Sequence, residues 1–133
     1  MNKEVVVLIG AGSIGQAIAR RVGSGRHVVL ADISIKNAES AAAILENAGF
    51  DTSVLKVDIS SRESILEVIE HAKQYGKIMY IINAAGLSPS QASASDILRV
   101  DLYGTAVLLE EFGRVIGEGG SGGALGIGVA NKV

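Results

Sequence analysis

Val5-Val6-Val7-Leu8-Ile9-Gly10-Ala11-Gly12-Ser13-Ile14-Gly15 is the stretch on which the reading of this chain turns. An unbroken aliphatic run rich in β-branched residues is what a strand buried on both faces requires. The run passes straight into a complete G-x-G-x-x-G, and Ser13 to Val22 then reads as a helix. Glycine turns are common, and it is the strand before and the helix after that give this one meaning. Gly10 permits a tight turn. Gly12 lets the backbone approach a pyrophosphate with no Cβ in the way, and Gly15 allows the helix to pack close on the strand. The helix start at Ser13 and Ile14 offers unpaired N–H groups and a partial positive charge to phosphates. A plain tight strand-to-helix turn is the competing use of the same glycines.

Outward from that turn, Gly23-Ser24-Gly25 ends the helix and His27 to Ala31 is a second apolar strand. Asp32 closes it, 22 residues after Gly10, with Ile33 beside it. A carboxylate there can accept hydrogen bonds from both hydroxyls of an adenosine ribose, and its charge repels a 2′-phosphate. No Arg follows Asp32 and Lys36 is the nearest downstream base, so NAD is expected over NADP. The alternative role for Asp32 is capping the next helix beside Ser34. That helix carries Ile35, Ala38, Ala41, Ala42, Leu45 and Ala48 on one face and stops at Gly49.

Thr52 to Val57 reads as a third strand, ending at Asp58, which serves equally well as a helix cap or a ligand contact. Ser60 and Glu63 have capping-box spacing ahead of the stripe Ile65, Leu66, Ile69 and Ala72. Gly76 breaks that helix, and Ile78 to Ile82 is a fourth strand running into Asn83-Ala84-Ala85-Gly86. A polar loop continues to Ser95, which caps a long helix from Asp96 to Ile116. Four alternations of strand and helix predict an α/β domain over residues 1–118. The expected fold is a Rossmann-type, doubly wound parallel sheet, incomplete at its C-terminal side. Eight of the 17 glycines fall between Gly113 and Gly128, and a segment so rich in glycine is costly to order. Residues 119–133 therefore read as a glycine-rich tail or as a remnant fifth strand over Ala124 to Ala130, with the tail favoured.

Composition narrows the functional classes. At 48% hydrophobic and 20% charged residues, the 133-residue chain is a single globular domain and not a disordered segment. A net charge of −2 and the lack of any Lys/Arg run give no footprint for nucleic acid. No stretch approaches a membrane-spanning length, and Glu4 spoils any signal-peptide basic region ahead of the apolar run. With no cysteine, thiolate chemistry and cysteine metal sites are absent, and a cytoplasmic location is the default expectation. His27 and His71 read as ordinary strand-edge and helix-surface residues, too isolated for a metal site. Ser88, Ser90, Ser93 and Ser95 read as loop and capping residues.

Taken together, the glycine turn, Asp32, Val57-Asp58-Ile59, Asn83-Ala84-Ala85-Gly86 and Val100-Asp101-Leu102-Tyr103-Gly104-Thr105 resemble the short-chain dehydrogenase/reductase family. The resemblance runs from residue 1 to about 117, and N-A-A-G after a buried strand is its most specific element. It implies that adenine contacts Asp58 and Ile59, and that Ala84, Ala85 and Gly86 pass beneath the nicotinamide-side ribose. It also implies that Asn83 braces the central sheet. The glycine spacing departs from the family's commoner G-x-x-x-G-x-G.

The family's catalytic set is a Tyr with a Lys four residues later, an upstream Ser and an Asn on the long helix. Here Tyr75, Tyr80 and Tyr103 are followed at that distance by Met79, Ala84 and Val107, and Asp101 stands at the Asn position. Gly119 to Val133 holds no counterpart of the serine strand. The expectation is therefore the NAD-binding half of a short-chain oxidoreductase, truncated, with no catalytic residue named and inactive alone. The hydride would pass between nicotinamide and an alcohol or carbonyl substrate. The rival is a non-catalytic nucleotide-sensing module like those of potassium-channel regulators. These share the turn and the strand-two Asp but are not expected to carry N-A-A-G before a long helix. An unfinished sheet edge predicts self-association.

Overall fold

A computed structural model describes residues 3–85, 93, 95, 98–116 and 126–129. Five parallel strands, β1 (Lys3–Ile9), β2 (His27–Asp32), β3 (Asp51–Lys56), β4 (Gly76–Asn83) and β5 (Gly126–Val129), form one sheet in the order β3-β2-β1-β4-β5. The helices are α1 (Ser13–Val22), α2 (Ile35–Asn47), α3 (Arg62–Lys73) and α4 (Thr105–Gly113), the last preceded by a π-helical segment, Leu98–Gly104.

The apolar run of β1 is fully buried because helices cover both of its faces. Val6 and Leu8 pack with Val28, Leu30 and Ile82 against Ala19 of α1 and Ala38, Ala41 and Leu45 of α2. Val5, Val7 and Ile9 point the other way, toward Ile65, Val68 and Ala72 of α3 and Leu108 and Phe112 of α4. The sheet is thus doubly wound, as expected. The chain moves outward from β1 through β2 to β3, then crosses back to lay β4 on the other side of β1. That reversal opens a crevice at the C-terminal ends of β1 and β4, where open α/β sheets hold ligands.

Several local expectations change. Of the two readings of residues 119–133, the fifth strand is found over Gly126–Val129, which pairs in parallel with Tyr80–Asn83; the rest of that segment lies outside the described residues. The glycines of β5 hide the apolar signature of a strand but leave the backbone free to complete a ladder. The cap of α3 is Ser61, whose hydroxyl accepts from Ser64 N at 3.2 Å, and not Ser60, which Asp58 holds instead. Ile35 of α2 and Leu66 of α3 are more than a third exposed, while Val68 takes the core position expected of Leu66. The single helix expected from Asp96 is π-wound over Leu98–Gly104 before α4 begins. Arg62, at the start of α3, pairs with both Glu110 and Glu111 and ties α3 to α4. No helix among the described residues is long and apolar enough to cross a membrane.

Candidate functional site

Because every strand runs the same way, the segments that leave the C-terminal ends of β1, β2, β3 and β4 collect at one end of the sheet. These are Gly10–Gly15, Asp32–Ile33, Val57–Ile59 and Asn83–Ala85, so the structure brings the expected residues together. Gly86 lies outside the described residues.

The turn after β1 is fixed by its neighbours. Gly10 donates its N–H to Ala31 O at 2.8 Å, while Ile9 O accepts from Ala84 N at 2.7 Å. Gly10 has φ +91°, and a Cβ there would lie 2.6 Å from Ala85 N. Gly15 is tight for a different reason: its Cβ would meet Gly10 O and the Leu8 side chain, each at 2.7 Å. Gly12 differs from both. It sits at the N-cap of α1 with φ −79° and ψ −178°, an extended conformation open to any residue. Nothing in its own backbone calls for glycine, so what its missing side chain serves is the space in front of the helix.

That helix start carries no side-chain cap and no acidic residue in its first turn, whereas Arg20 and Arg21 lie in its last. The N-terminal N–H groups and the positive end of the dipole therefore face outward, the arrangement suited to an anion. Gln16 folds back to donate from Nε2 to Ala11 O at 2.9 Å, which steadies the turn.

Asp32 reaches across to the same turn. Its Oδ2 accepts from Ala11 N at 2.8 Å and its Oδ1 from Ser34 N at 2.9 Å. The helix cap weighed for this residue is Ser34 instead, whose hydroxyl accepts from Asn37 N, while Asp32 braces the turn before α2 and clamps the glycine turn to the end of β2. Each carboxylate oxygen has a second acceptor direction, so both remain able to accept from hydroxyls. Ile14 and Ile33 flank this region with 48% and 61% of their surface exposed, although Ile9 and Ala31 nearby are fully buried.

On the β3 side, Asp58 Oδ1 accepts from Ser60 N at 3.0 Å and from Ser60 Oγ at 2.6 Å, which fixes the turn ahead of α3, whose cap is Ser61 and not Asp58. Ile59 is only 5% exposed and belongs to the core. Its carbonyl sits against Gly104 of the π-helical segment, where a Cβ would come within 2.7 Å. On the β4 side, Asn83 is buried. It donates from Nδ2 to Thr105 Oγ1 and accepts at Oδ1 from Ala85 N, each at 3.2 Å. It thereby joins the end of β4 to the first turn of α4 and shapes the backbone of Ala84 and Ala85.

The three tyrosines are dispersed. Tyr75 stacks on His27 with ring centroids 3.7 Å apart, Tyr80 lies under the Arg26 guanidinium, and Tyr103 is half exposed on the π-helical segment. Among the described residues, no cluster of three His, Cys, Asp or Glu side chains could hold a metal ion.

The model of the short chain dehydrogenase family matches residues 3–125. The chain is similar to the short-chain dehydrogenase/reductase bsc3 of Alternaria brassicicola, with 41% identity over 121 residues. That match covers 91% of this chain and 44% of the fungal protein, so the chain spans less than half of that relative's length. Among solved structures, it is similar to a short-chain dehydrogenase/reductase from Burkholderia phymatum in complex with NAD. The TM-score there is 0.80 at 23% identity, over 95% of this chain and 48% of the other. It is also similar to an actinorhodin polyketide ketoreductase with NADPH, with a TM-score of 0.72 at 22% identity over 84% and 48% of the two chains. Both share its fold.

Proposed function

The chain belongs to the short-chain dehydrogenase/reductase family, and from that membership we propose that it binds NAD in the crevice between β1 and β4. The proposed activity is that of an oxidoreductase moving a hydride between nicotinamide and an alcohol or carbonyl compound. The observation that carries this reading is the Asp32 carboxylate bonded to Ala11 N, since it joins the strand-two acid to the phosphate-binding turn.

The residues present fit the cofactor. Its pyrophosphate would lie against the uncapped start of α1 at Ser13 and Ile14, over the open position at Gly12. The adenosine ribose would donate its hydroxyls to Asp32, and the exposed surfaces of Ile14 and Ile33 would cover the adenosine. Asp58 is the side chain left for adenine on the β3 side, because that of Ile59 is committed to the core. Ala84 and Ala85, with Gly86 after them, would pass beneath the second ribose, held in place by Asn83. When bound, the nicotinamide supplies the hydride donor or acceptor. The chain's own residues bind and orient it.

NAD is proposed over NADP because the charge on Asp32 would oppose a 2′-phosphate; the nearby bases are Lys36 of α2 and Lys56, in register with Asp32 on β3, and neither is an Arg. Titration of both cofactors onto Asp32→Asn tests this. The amide keeps one acceptor and removes the charge. NAD should weaken about tenfold or more, since a hydrogen bond to a charged group contributes roughly 1.5–3 kcal/mol. NADP should lose much less, or gain. Equal weakening of both would mean that Asp32 acts only through Ala11 and Ser34, and the ribose assignment would fail.

A further inference from the structure

At the opposite end of the sheet lies a polar cluster that cofactor binding does not use. His27, the first residue of β2, is 2% exposed. Its Nδ1 lies 2.8 Å from Asp51 Oδ2, at the start of β3, and its Nε2 lies 2.8 Å from Ser53 Oγ. The same Ser53 oxygen is 2.9 Å from His71 Nε2, near the end of α3. Tyr75, in the turn to β4, closes the cluster by stacking on His27 and tilting against His71. Lys3 of β1 lies 3.4 Å from Asp51 Oδ2, and Glu67 and Glu70 line the groove that His71 borders. Arg26 is paired with Glu4, which alternates to the other side of β1 from Lys3, and Lys77 is in register with that same Glu4.

Asp51, His27 and Ser53 have the two contacts of a nucleophilic triad, but the serine hydroxyl is held between two imidazoles. That favours a proton relay over a nucleophile. With both rings neutral, His27 donates from Nδ1 to Asp51, Ser53 donates to His27 Nε2, and His71 donates from Nε2 to Ser53. With His27 charged, its Nε2 donates to Ser53, and the hydroxyl turns to donate to His71 Nε2. Each of the three contacts then still pairs a donor with an acceptor, with the His71 proton on Nδ1. With both rings charged, two N–H groups converge on one oxygen, the hydroxyl hydrogen loses both partners, and two cations face each other in a part-buried site.

We propose that Asp51, His27, Ser53 and His71 form a one-proton latch that fastens β3 to β2 and α3, satisfied by zero or one imidazolium and released by the second. Burial first, and the charge of His27 second, hold the His71 imidazole below its ordinary value. The hydrogen bond from His27 holds the Asp51 carboxyl below its ordinary range. A base depressed in the folded state contributes stability that is present above its unfolded value, about pH 6.5, and is lost as pH falls toward the folded one. The depressed carboxylate acts in the same direction at more acid pH. The latch therefore loosens on the acid side of neutrality.

The test follows both imidazoles by NMR from about pH 8 to about pH 5, with amide exchange read along β3. The β3 amides are expected to lose protection once both rings carry a proton, while those of β1 and β4 hold. In His71→Gln the amide can still donate to or accept from Ser53 but cannot charge. On the same acid step, its folding equilibrium constant should fall at least about threefold less than that of the unaltered chain. Protonation of both rings with β3 protection unchanged would overturn the latch, as would an undiminished acid loss in His71→Gln. Should that variant not fold, the titration of the unaltered chain decides alone.

Discussion

Gly12→Val is expected to fold with its sheet intact and to lose NAD binding by at least a hundredfold, whereas Gly10→Val is expected to lose the fold around the site first. The two glycines stand two residues apart in one turn, and their backbones predict opposite failures. Gly12 has φ −79° and ψ −178°, which valine adopts without strain. Its side chain would project into the space where the pyrophosphate must approach the first N–H groups of α1. Losing two hydrogen bonds to a charged group, each worth roughly 1.5–3 kcal/mol, accounts for a hundredfold or more. Gly10 has φ +91°, with Ala85 N 2.6 Å and Ala84 C 2.7 Å from where a Cβ would stand. A β-branched residue there costs about 1–3 kcal/mol in backbone strain, and overpacking adds a similar amount. Urea unfolding and calorimetric titration with NAD on both variants check the pair. A stable Gly12→Val protein with undiminished NAD affinity would remove the pyrophosphate from this turn. A Gly10→Val protein as stable as the unaltered chain would show that the contact with Ala84 and Ala85 yields easily.

The same contrast explains what was legible in the sequence. The β1 run, the glycine turn and Asp32 act through near neighbours or fixed spacing, and each has a short-range steric or electrostatic reason for its residue type. Reading them gave the doubly wound sheet and brought Asp32 to the turn. The clamp from Asp32 to Ala11 could have been anticipated, since a carboxylate at that position faces the N–H groups of the turn before it reaches any ligand. The His27 cluster could not, because its partners lie 24, 26 and 44 positions away and meet only when β2, β3 and α3 are packed. Two isolated histidines gave no periodic signal, and the ordinary surface role expected of them is corrected by the 2% exposure of His27. Strand β5 was the less favoured of two readings for the opposite reason. Glycine at 126 and 128 removes the side-chain alternation from which a strand is read, while β4 supplies the ladder that orders it. Ile59 was implied by the family resemblance together with Asp58, and its side chain lies in the core, which nothing in its own neighbourhood of the sequence announces.

Residues 1–133 are expected to bind NADH and yet to turn over alcohols or carbonyls no faster than a binding site without a proton donor would. Binding needs the open position at Gly12, the uncapped start of α1 and the Asp32 carboxylate, and all three stand at one end of the sheet. Turnover also needs a group within hydrogen-bond reach of the substrate oxygen, with a pKa matched to the task. None of the three tyrosines has a lysine four residues on. Tyr75 is engaged with His27 beyond the N-terminal ends of the strands, and Tyr80 lies beneath Arg26. Tyr103, half exposed on the π-helical segment, is the one left to consider, with Asp101 one half-turn before it. The loss of general acid catalysis alone costs typically about 10²–10⁴-fold, and poor substrate orientation adds to it. The measurement is NADH absorbance against a panel of small carbonyl compounds, after a fluorescence titration has shown saturation. Saturation without turnover is the expected result, and it would be the same for a nucleotide sensor. Supplying a proton donor in trans, from the C-terminal half of a full-length family member, separates the two: turnover that then appears favours the oxidoreductase. Robust turnover by residues 1–133 that disappears in Tyr103→Phe would make Tyr103 the acid. Turnover that survives Tyr103→Phe and disappears in Asp101→Ala would give that role to the carboxyl group, and either result would overturn the expectation that these residues only bind.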